Sequence, residues 1–248
     1  MALDEAIALS VRNGDSPPTL RFYDWEEPSV SLGFFQDIGD IDLSYCAAHR
    51  ISVVRRPTGG RGILHGEGLT YSFSSRNEGL FSRGLLDSYR QLGLAFMSAF
   101  RMLGLEITMR AEREPGRNLT RNPLCFTSPS YGEIQFQNKK LIGSAQKRWH
   151  DGLLQQGSIP YSIDIENMKR IFNLPQLPGS WNGMIGLREV AQYLRHEEFK
   201  EAIRSSFEKV FRISLIPSHL CQGEILHAQD LEVRKYRSQE WNYQRQGG

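Results

Sequence analysis

What this sequence is short of narrows its identity first. Its 248 residues include three cysteines, Cys46, Cys125 and Cys221. An odd number so widely spaced builds neither a disulfide framework nor a CxxC metal pattern. No apolar run approaches the ~18 residues that span a bilayer, so no membrane-embedded role is expected. Neither sign of charge dominates: 30 Lys and Arg face 28 Asp and Glu, for a net +2. That balance argues against a protein that lives on nucleic-acid backbones. His65 has no second His, Cys or carboxylate at ligand spacing, so no metal site is expected. The opening Met1-Ala2-Leu3-Asp4-Glu5 is acidic where an export signal is basic, which points to the cytoplasm. What remains is an ordinary globular composition, 40% hydrophobic and 23% charged. The length suffices for one well-buried core. The expectation is a single domain over residues 1–248, with a helical C-terminal part from about 162.

Periodicity supplies the elements. Leu3, Ala6, Ile7 and Val11 share one helical face, and Asn13-Gly14 stops the helix. Residues 19–25 and 29–33 suit strands, 40–50 a helix capped by Asp40 or Asp42, and 51–56 a strand. Residues 69–74 alternate as another strand. Leu85, Tyr89, Leu92, Phe96, Phe100 and Leu103 repeat at three- and four-residue intervals before Gly104, the strongest helix signal in the chain. Residues 105–109 alternate as a strand. Residues 110–129, with three prolines, read as a long loop, of the kind that often carries function. A hairpin follows, with Ile134 and Phe136 on one strand, a turn at Gln137-Asn138-Lys139, and 140–147 returning. Residues 152–159 form one more strand, and helices follow at 166–172, 187–194, 196–211 and 224–236. Pro175, Pro178 and Gly179 mark a boundary within this helical part. Short strands between terminal helices predict an α+β fold of mixed, largely antiparallel sheets flanked by helices.

Three segments carry chemistry. The first packs five glycines into Arg56-Pro-Thr-Gly-Gly-Arg-Gly-Ile-Leu-His-Gly-Glu-Gly68. Close glycines let backbone approach a ligand and turn N–H groups toward an anion or a carbonyl oxygen. A wide turn between two strands would use the same glycines. The pattern is neither a Walker phosphate loop nor a dinucleotide fingerprint. The second is Cys125-Phe126-Thr127-Ser128-Pro129-Ser130. Free cysteines are commonly small buried hydrophobes, but a loop cysteine flanked by Pro and Ser is poorly placed for a core. Cys46 and Cys221 sit by helical stripes and read as packing. The third is Lys140-Leu141-Ile142-Gly143-Ser144-Ala145-Gln146. Its small residues on a strand leave room for a ligand or another backbone. Lys140 is either a solvated strand end or, aimed into a pocket, a group that holds a carboxylate, orients a carbonyl or lowers a thiol's pKa.

Together these segments resemble the lipoate–biotin protein ligase and octanoyltransferase superfamily. Arg55 to His65 is similar to its acyl-binding arginine–glycine loop. Lys140 to Gln146, with Leu154-Gln155-Gln156-Gly157-Ser158-Ile159, resembles its invariant-lysine hairpin and the next strand. Met1 to Ala6, Arg21-Phe22-Tyr23 and Ser31 to Gln36 resemble the opening helix and strands, and Lys235 to Asn242 the closing segment. The likeness thus runs nearly end to end. The sequence opens on the first helix, without the strand the family usually places before it, which would leave a sheet edge exposed.

Cys125 to Ser130 matches the Cys-Phe-x-x-Pro-Ser of the cysteine-type octanoyltransferases (the LipM group). The resemblance implies a fold like the biotin/lipoate ligase catalytic domain. It also implies transfer of octanoate from acyl carrier protein, through a cysteine thioester, to the lysine of a lipoyl-domain protein such as glycine cleavage H protein or a dehydrogenase E2. Cys125 and Lys140 would be catalytic. Arg56, Thr58, Gly59, Gly60, Arg61, His65, Gly143, Ser144 and Ala145 would bind substrate, with no cofactor, metal, nucleic acid or membrane involved. An ATP-dependent lipoate ligase, a lipoyl-domain amidotransferase and a non-catalytic acyl- or biotin-binding module are the alternatives.

Overall fold

The computed structural model describes residues 1–110, 132–173 and 183–244. The long loop expected at 110–129, with Cys125, and the proline-marked boundary at 175–179 lie outside the described residues, apart from Arg110 itself.

Helix α1 (Ala2–Asn13) ends where Gly14 turns left-handed at φ +85, as Asn13-Gly14 predicts. Its buried face differs by one position from the expected one. Asp4 is inside with Ile7, Ala8 and Val11, while Leu3 is only half-buried. Strands β1 (Thr19–Tyr23) and β2 (Ser29–Leu32) follow. The helix expected at 40–50 is shorter, α2 (Leu43–Ala48), and Asp42 caps it by accepting the Tyr45 N–H at 2.8 Å. Next come β3 (Ser52–Arg55), β4 (Ile63–His65) and β5 (Gly68–Arg76). The glycine-rich stretch is therefore a loop interrupted by a three-residue strand.

Helix α3 (Leu85–Met102) buries Leu92, Phe96 and Phe100 as its spacing predicts, but Leu85 is exposed and Ser88 takes the inside position at that end. Strands β6 (Thr108–Met109), β7 (Ile134–Phe136), β8 (Lys139–Arg148) and β9 (Gly152–Pro160) complete the strands among the described residues. Gln137 and Asn138, both at positive φ, make the two-residue turn between β7 and β8. Helices α4 (Ile165–Ile171), α5 (Leu187–Val190), α6 (His196–Phe211) and α7 (Gln222–Leu231) follow. The helix expected to continue to 236 instead widens into a π-turn at Glu232–Tyr236, before α8 (Gln239–Tyr243).

The strands form two sheets. Six run in the order β1-β5-β9-β8-β7-β6, all antiparallel, with β1 at one edge. Three form a smaller sheet, β3-β2-β4, in which β2 and β3 are parallel. This is the α+β architecture the sequence predicts. Helices α3 and α6 cover one face of the large sheet, where Tyr71, Phe96, Phe100, Phe199 and Phe207 are fully buried. Each such side chain contributes ~1.5–3 kcal/mol relative to exposure, so this face is where most of the core energy lies. The small sheet keeps its own core of Val30, Leu32, Ile63, Ile171 and Phe172. Among the described residues no helix is long and apolar enough to cross a membrane.

Candidate active site

Two buried arginines build the glycine loop from below. Arg55, 2% exposed, donates to the carbonyls of Gly33, Phe34, Gln36, Trp241 and Asn242. It ties the closing segment to the β2 end. Arg56 donates to the carbonyls of Ser31, Gly59 and Arg61, so its guanidinium braces the loop from inside. Thr58 anchors the loop to the large sheet, its hydroxyl donating to Gln156 Oε1 at 3.0 Å. Gly60 sits at φ +84, and a Cβ on Gly33 would lie 1.9 Å from the Gly60 carbonyl oxygen. A Cβ on Gly59, by contrast, would meet nothing within 4 Å. Arg61 is half-buried at the loop's rim, and Leu64 packs toward the small-sheet core.

The loop covers a particular face of the large sheet. Gln156 lies opposite Ala145 and Ser72, and Ser158 opposite Gly143 and Thr70. Directly opposed residues share a face, so Gly143 and Ala145 stand with Gln156, which reaches up to Thr58. Ser144 points the other way. Its hydroxyl meets the Tyr71 hydroxyl at 2.8 Å, and the Tyr71 ring packs on Phe96 of α3. The small-residue run is thus divided, with Gly143 and Ala145 under the loop and Ser144 on the core side. Gly157 leaves the space that the Tyr71 ring fills, since a Cβ there would lie 2.2 Å from the ring.

Asp4 closes this layer. It is fully buried and accepts from Arg21 (2.7 Å), Tyr23 (2.9 Å), Ser72 (2.8 Å) and Gln156 (2.7 Å). Burial alone would raise its pKa. The α-amino group, Arg21 and the hydrogen bonds from Gln156 and Ser72 outweigh that and hold it below the usual value. One carboxylate therefore joins α1, β1, β5 and β9 beneath the loop.

His65 is tied to Thr70 of β5 through Trp25. Its ring stacks on Trp25 at 4.3 Å, and the Trp25 indole N–H donates to Thr70 at 3.0 Å. Burial, then the neighbouring Arg56 charge, push the imidazole down to about 3, so the ring is neutral. Its Nε2 lies 2.7 Å from Ser31 Oγ, which already accepts from Arg56. We assign the Ser31 proton to Nε2, because this leaves one buried group without a partner, whereas the reverse strands both the Ser31 hydroxyl proton and the Nδ1 lone pair. The remaining proton is then on Nδ1, which is buried and has no hydrogen-bond partner among the described residues. A neutral N–H donor with no acceptor among the described residues suits a carbonyl oxygen.

Lys140 is no solvated strand end. It is 3% exposed and ion-paired with Glu133, itself 8% exposed. Its backbone N–H donates to Gly183 and its carbonyl accepts from Ile185, which fixes the start of β8. Further along β8, Lys147 shares the face of Gly143 and Ala145 by alternation, its ammonium over the rings of Phe34 (5.5 Å) and Trp149 (4.9 Å). Burial lowers its pKa; Lys235 and Arg12 add to this and Glu5 opposes it. Among the described residues, no cluster of three or more His, Cys, Asp or Glu could hold a metal.

The structure thus groups Arg56, Thr58, Gly59, Gly60 and His65 in and beside the glycine loop, puts Gly143 and Ala145 on the sheet face of Gln156, which Thr58 bonds, and sets Ser144 on the opposite face. Sequence reasoning missed Asp4, Trp25, Glu133 and Lys147. Only Asp4 carried a signal: a carboxylate at three-, four- and seven-residue intervals from Ile7, Ala8 and Val11, on the stripe that must be buried.

The family model described as the lipoyl protein ligase A/B catalytic domain matches residues 1–208. The chain belongs to that family. Among curated relatives of this lipoyl ligase-family chain is octanoyltransferase LipM of Geobacillus kaustophilus, 35% identical over 259 residues covering 99% of this chain and 93% of that protein. Octanoyltransferase LipM of Moorella thermoacetica is also 35% identical, over 97% of this chain and 92% of that one. Among solved structures, lipoate-protein ligase A bound with ATP has a TM-score of 0.83 at 23% identity, covering 98% and 92% of the two chains. A bi-partite lipoate protein ligase from Thermoplasma acidophilum, studied with its E2 lipoyl domain, has a TM-score of 0.80 at 22% identity, covering 100% and 91%. These two likenesses speak for the fold alone.

Proposed function

We propose that this family member is an octanoyltransferase that moves an octanoyl group from acyl carrier protein, through a thioester on Cys125, to the lysine of a lipoyl domain. The observation that carries the reading is the 35% identity to octanoyltransferase LipM along 99% of the chain. The site's architecture supports it. The octanoyl tail needs a dry slot, and burying its seven aliphatic carbons is worth ~6 kcal/mol at ~0.8 kcal/mol per carbon. Gly143 and Ala145 put only small side chains on the sheet face from which Gln156 reaches Thr58 of the glycine loop, and a Cβ on Gly59 would meet nothing within 4 Å.

In the first step the Cys125 thiolate attacks the thioester carbonyl. A new C–S bond forms, the bond to the carrier's sulfur breaks, and the departing thiolate takes up a proton. Thiol-for-thiol exchange is nearly isoenergetic, so no ATP is consumed. In the second step the acceptor lysine attacks the acyl-enzyme as its neutral amine; the C–N bond forms, the C–S bond to Cys125 breaks, and the proton the nitrogen sheds on becoming an amide is taken up by the departing Cys125 thiolate. Lys140 stabilises the oxyanion and favours the thiolate, and His65 Nδ1–H donates to the acyl carbonyl. A well-placed donor of this kind lowers the barrier by ~3 kcal/mol.

The test is intact mass after mixing with octanoyl-acyl carrier protein without ATP, beside Cys125→Ala. An octanoyl adduct on the natural protein alone, passed on to an added lipoyl domain, supports the reading. Lipoyl-domain modification that instead requires free lipoate and ATP, and survives Cys125→Ala, makes the protein a ligase.

A further inference from the structure

Glu133 belongs to no motif, yet it holds the lysine on which the proposed reaction depends. Taking a carboxylate and an ammonium out of water costs several kcal/mol for each ion, and attraction between them offsets this only when their other bonding positions are filled. Here the carboxylate's Oε2 is buried without a hydrogen-bond partner among the described residues. A leucine or methionine pair of similar volume would fill the same space at lower cost. The ion pair is therefore poorly explained as a stabilising device.

Its geometry fits a different task. The Glu133 carbonyl accepts the Arg110 N–H at 2.9 Å, and Gly132 N–H returns a bond to the Arg110 carbonyl at 3.0 Å. Lys140 is held at its own backbone by Gly183 (2.7 Å) and Ile185 (3.1 Å). Glu133 immediately precedes β7, a two-residue turn joins β7 to the β8 strand that carries Lys140, and Gln135 lies directly opposite Lys140. Both backbones are thus anchored, and the long lysine stem between them is the soft part. Four rotatable bonds give a lysine stem many positions, and a buried carboxylate beside the ammonium selects among them and favours its charged form.

We propose that Glu133 is the positioning residue for Lys140, holding its ammonium charged and in place for the acyl-transfer transition state. The proposal rests on the role given to Lys140 under the proposed function. Because Glu133 acts through Lys140, the two should not contribute independently.

The experiment compares Glu133→Gln, Glu133→Asp, Lys140→Met and the double variant Glu133→Gln/Lys140→Met. It measures kcat and KM for octanoyl-acyl carrier protein, Cys125 acylation by intact mass, and thermal unfolding. Glu133→Gln should slow acylation and kcat by about tenfold or more, with KM nearly unchanged. Glu133→Asp, which keeps the charge, should recover part of that loss. The double variant should be no slower than Lys140→Met alone. It also leaves no stranded buried ammonium, so it reports even where Glu133→Gln fails to fold. Glu133→Gln with undiminished kcat, or a double variant whose loss is the product of the two single losses, overturns the proposal. A natural protein that never takes octanoate onto Cys125 overturns the functional reading instead.

Discussion

Acidifying the solution should unfold this protein partly through one imidazole. His65 is buried against Trp25 and Ser31 beside Arg56, and its pKa falls from 6.5 to about 3. The sign follows from linkage. Between those two values the unfolded chain binds a proton that the folded chain refuses, so stability rises with pH there and is lost as pH falls. With an unfolded value of 6.5, the loss between pH 7 and pH 5 is about 2 kcal/mol, and any folded value below about 4 gives nearly the same figure. For a chain of this size that is a drop of roughly 4–8 °C in Tm. Chemical denaturation of the natural protein and His65→Asn at both pH values isolates the effect, because the variant should lose about 2 kcal/mol less on acidification. Two-bond ¹H–¹⁵N correlation spectra at pH 5 should show a neutral ring with its proton on Nδ1. Equal pH dependence in the two proteins, or a protonated ring at pH 5, would refute the buried neutral imidazole and with it the donor assigned to the acyl carbonyl.

Asp4→Ala should cost about 3–5 kcal/mol, because it strands Arg21 and leaves Tyr23, Ser72 and Gln156 without their shared acceptor. Calorimetry should show the lower Tm, and transfer activity should fall with it as Gln156 loosens its hold on Thr58. Two glycines offer an opposite pair. Gly157→Ala drives a methyl into the Tyr71 ring and should destabilise by about 1–3 kcal/mol. Gly59→Ala meets open space and should leave unfolding nearly unchanged while raising KM for the octanoyl donor. A destabilised Gly59→Ala, or an unaffected Gly157→Ala, would show that the loop and the sheet face are not arranged as described.

The elements themselves were largely legible because they are local. The stripe of Leu92, Phe96 and Phe100 and that of Phe199, Ile203 and Phe207 follow from three- and four-residue spacing, which needs nothing from the rest of the chain. Even the errors have local causes. At the start of α3 Ser88 displaced Leu85 from the inside, where it bonds Gln146 of β8.

By itself, then, the sequence determined the helices, most of the strands, the glycine loop and the family. Tertiary structure alone decided which side chains meet. Strand alternation already separates Ser144 from Gly143 and Ala145, but only pairing with β9 shows which face lies under the loop. Glu133 became the partner of Lys140 through a turn at positive φ, and Arg55 reaches Trp241 across 186 residues. His65 became a neutral donor because Trp25, Ser31 and Arg56 close around it from three separate segments of the chain. Periodicity reports how a segment faces its neighbours, whereas the charge and orientation of a buried group depend on which distant segments the fold brings against it.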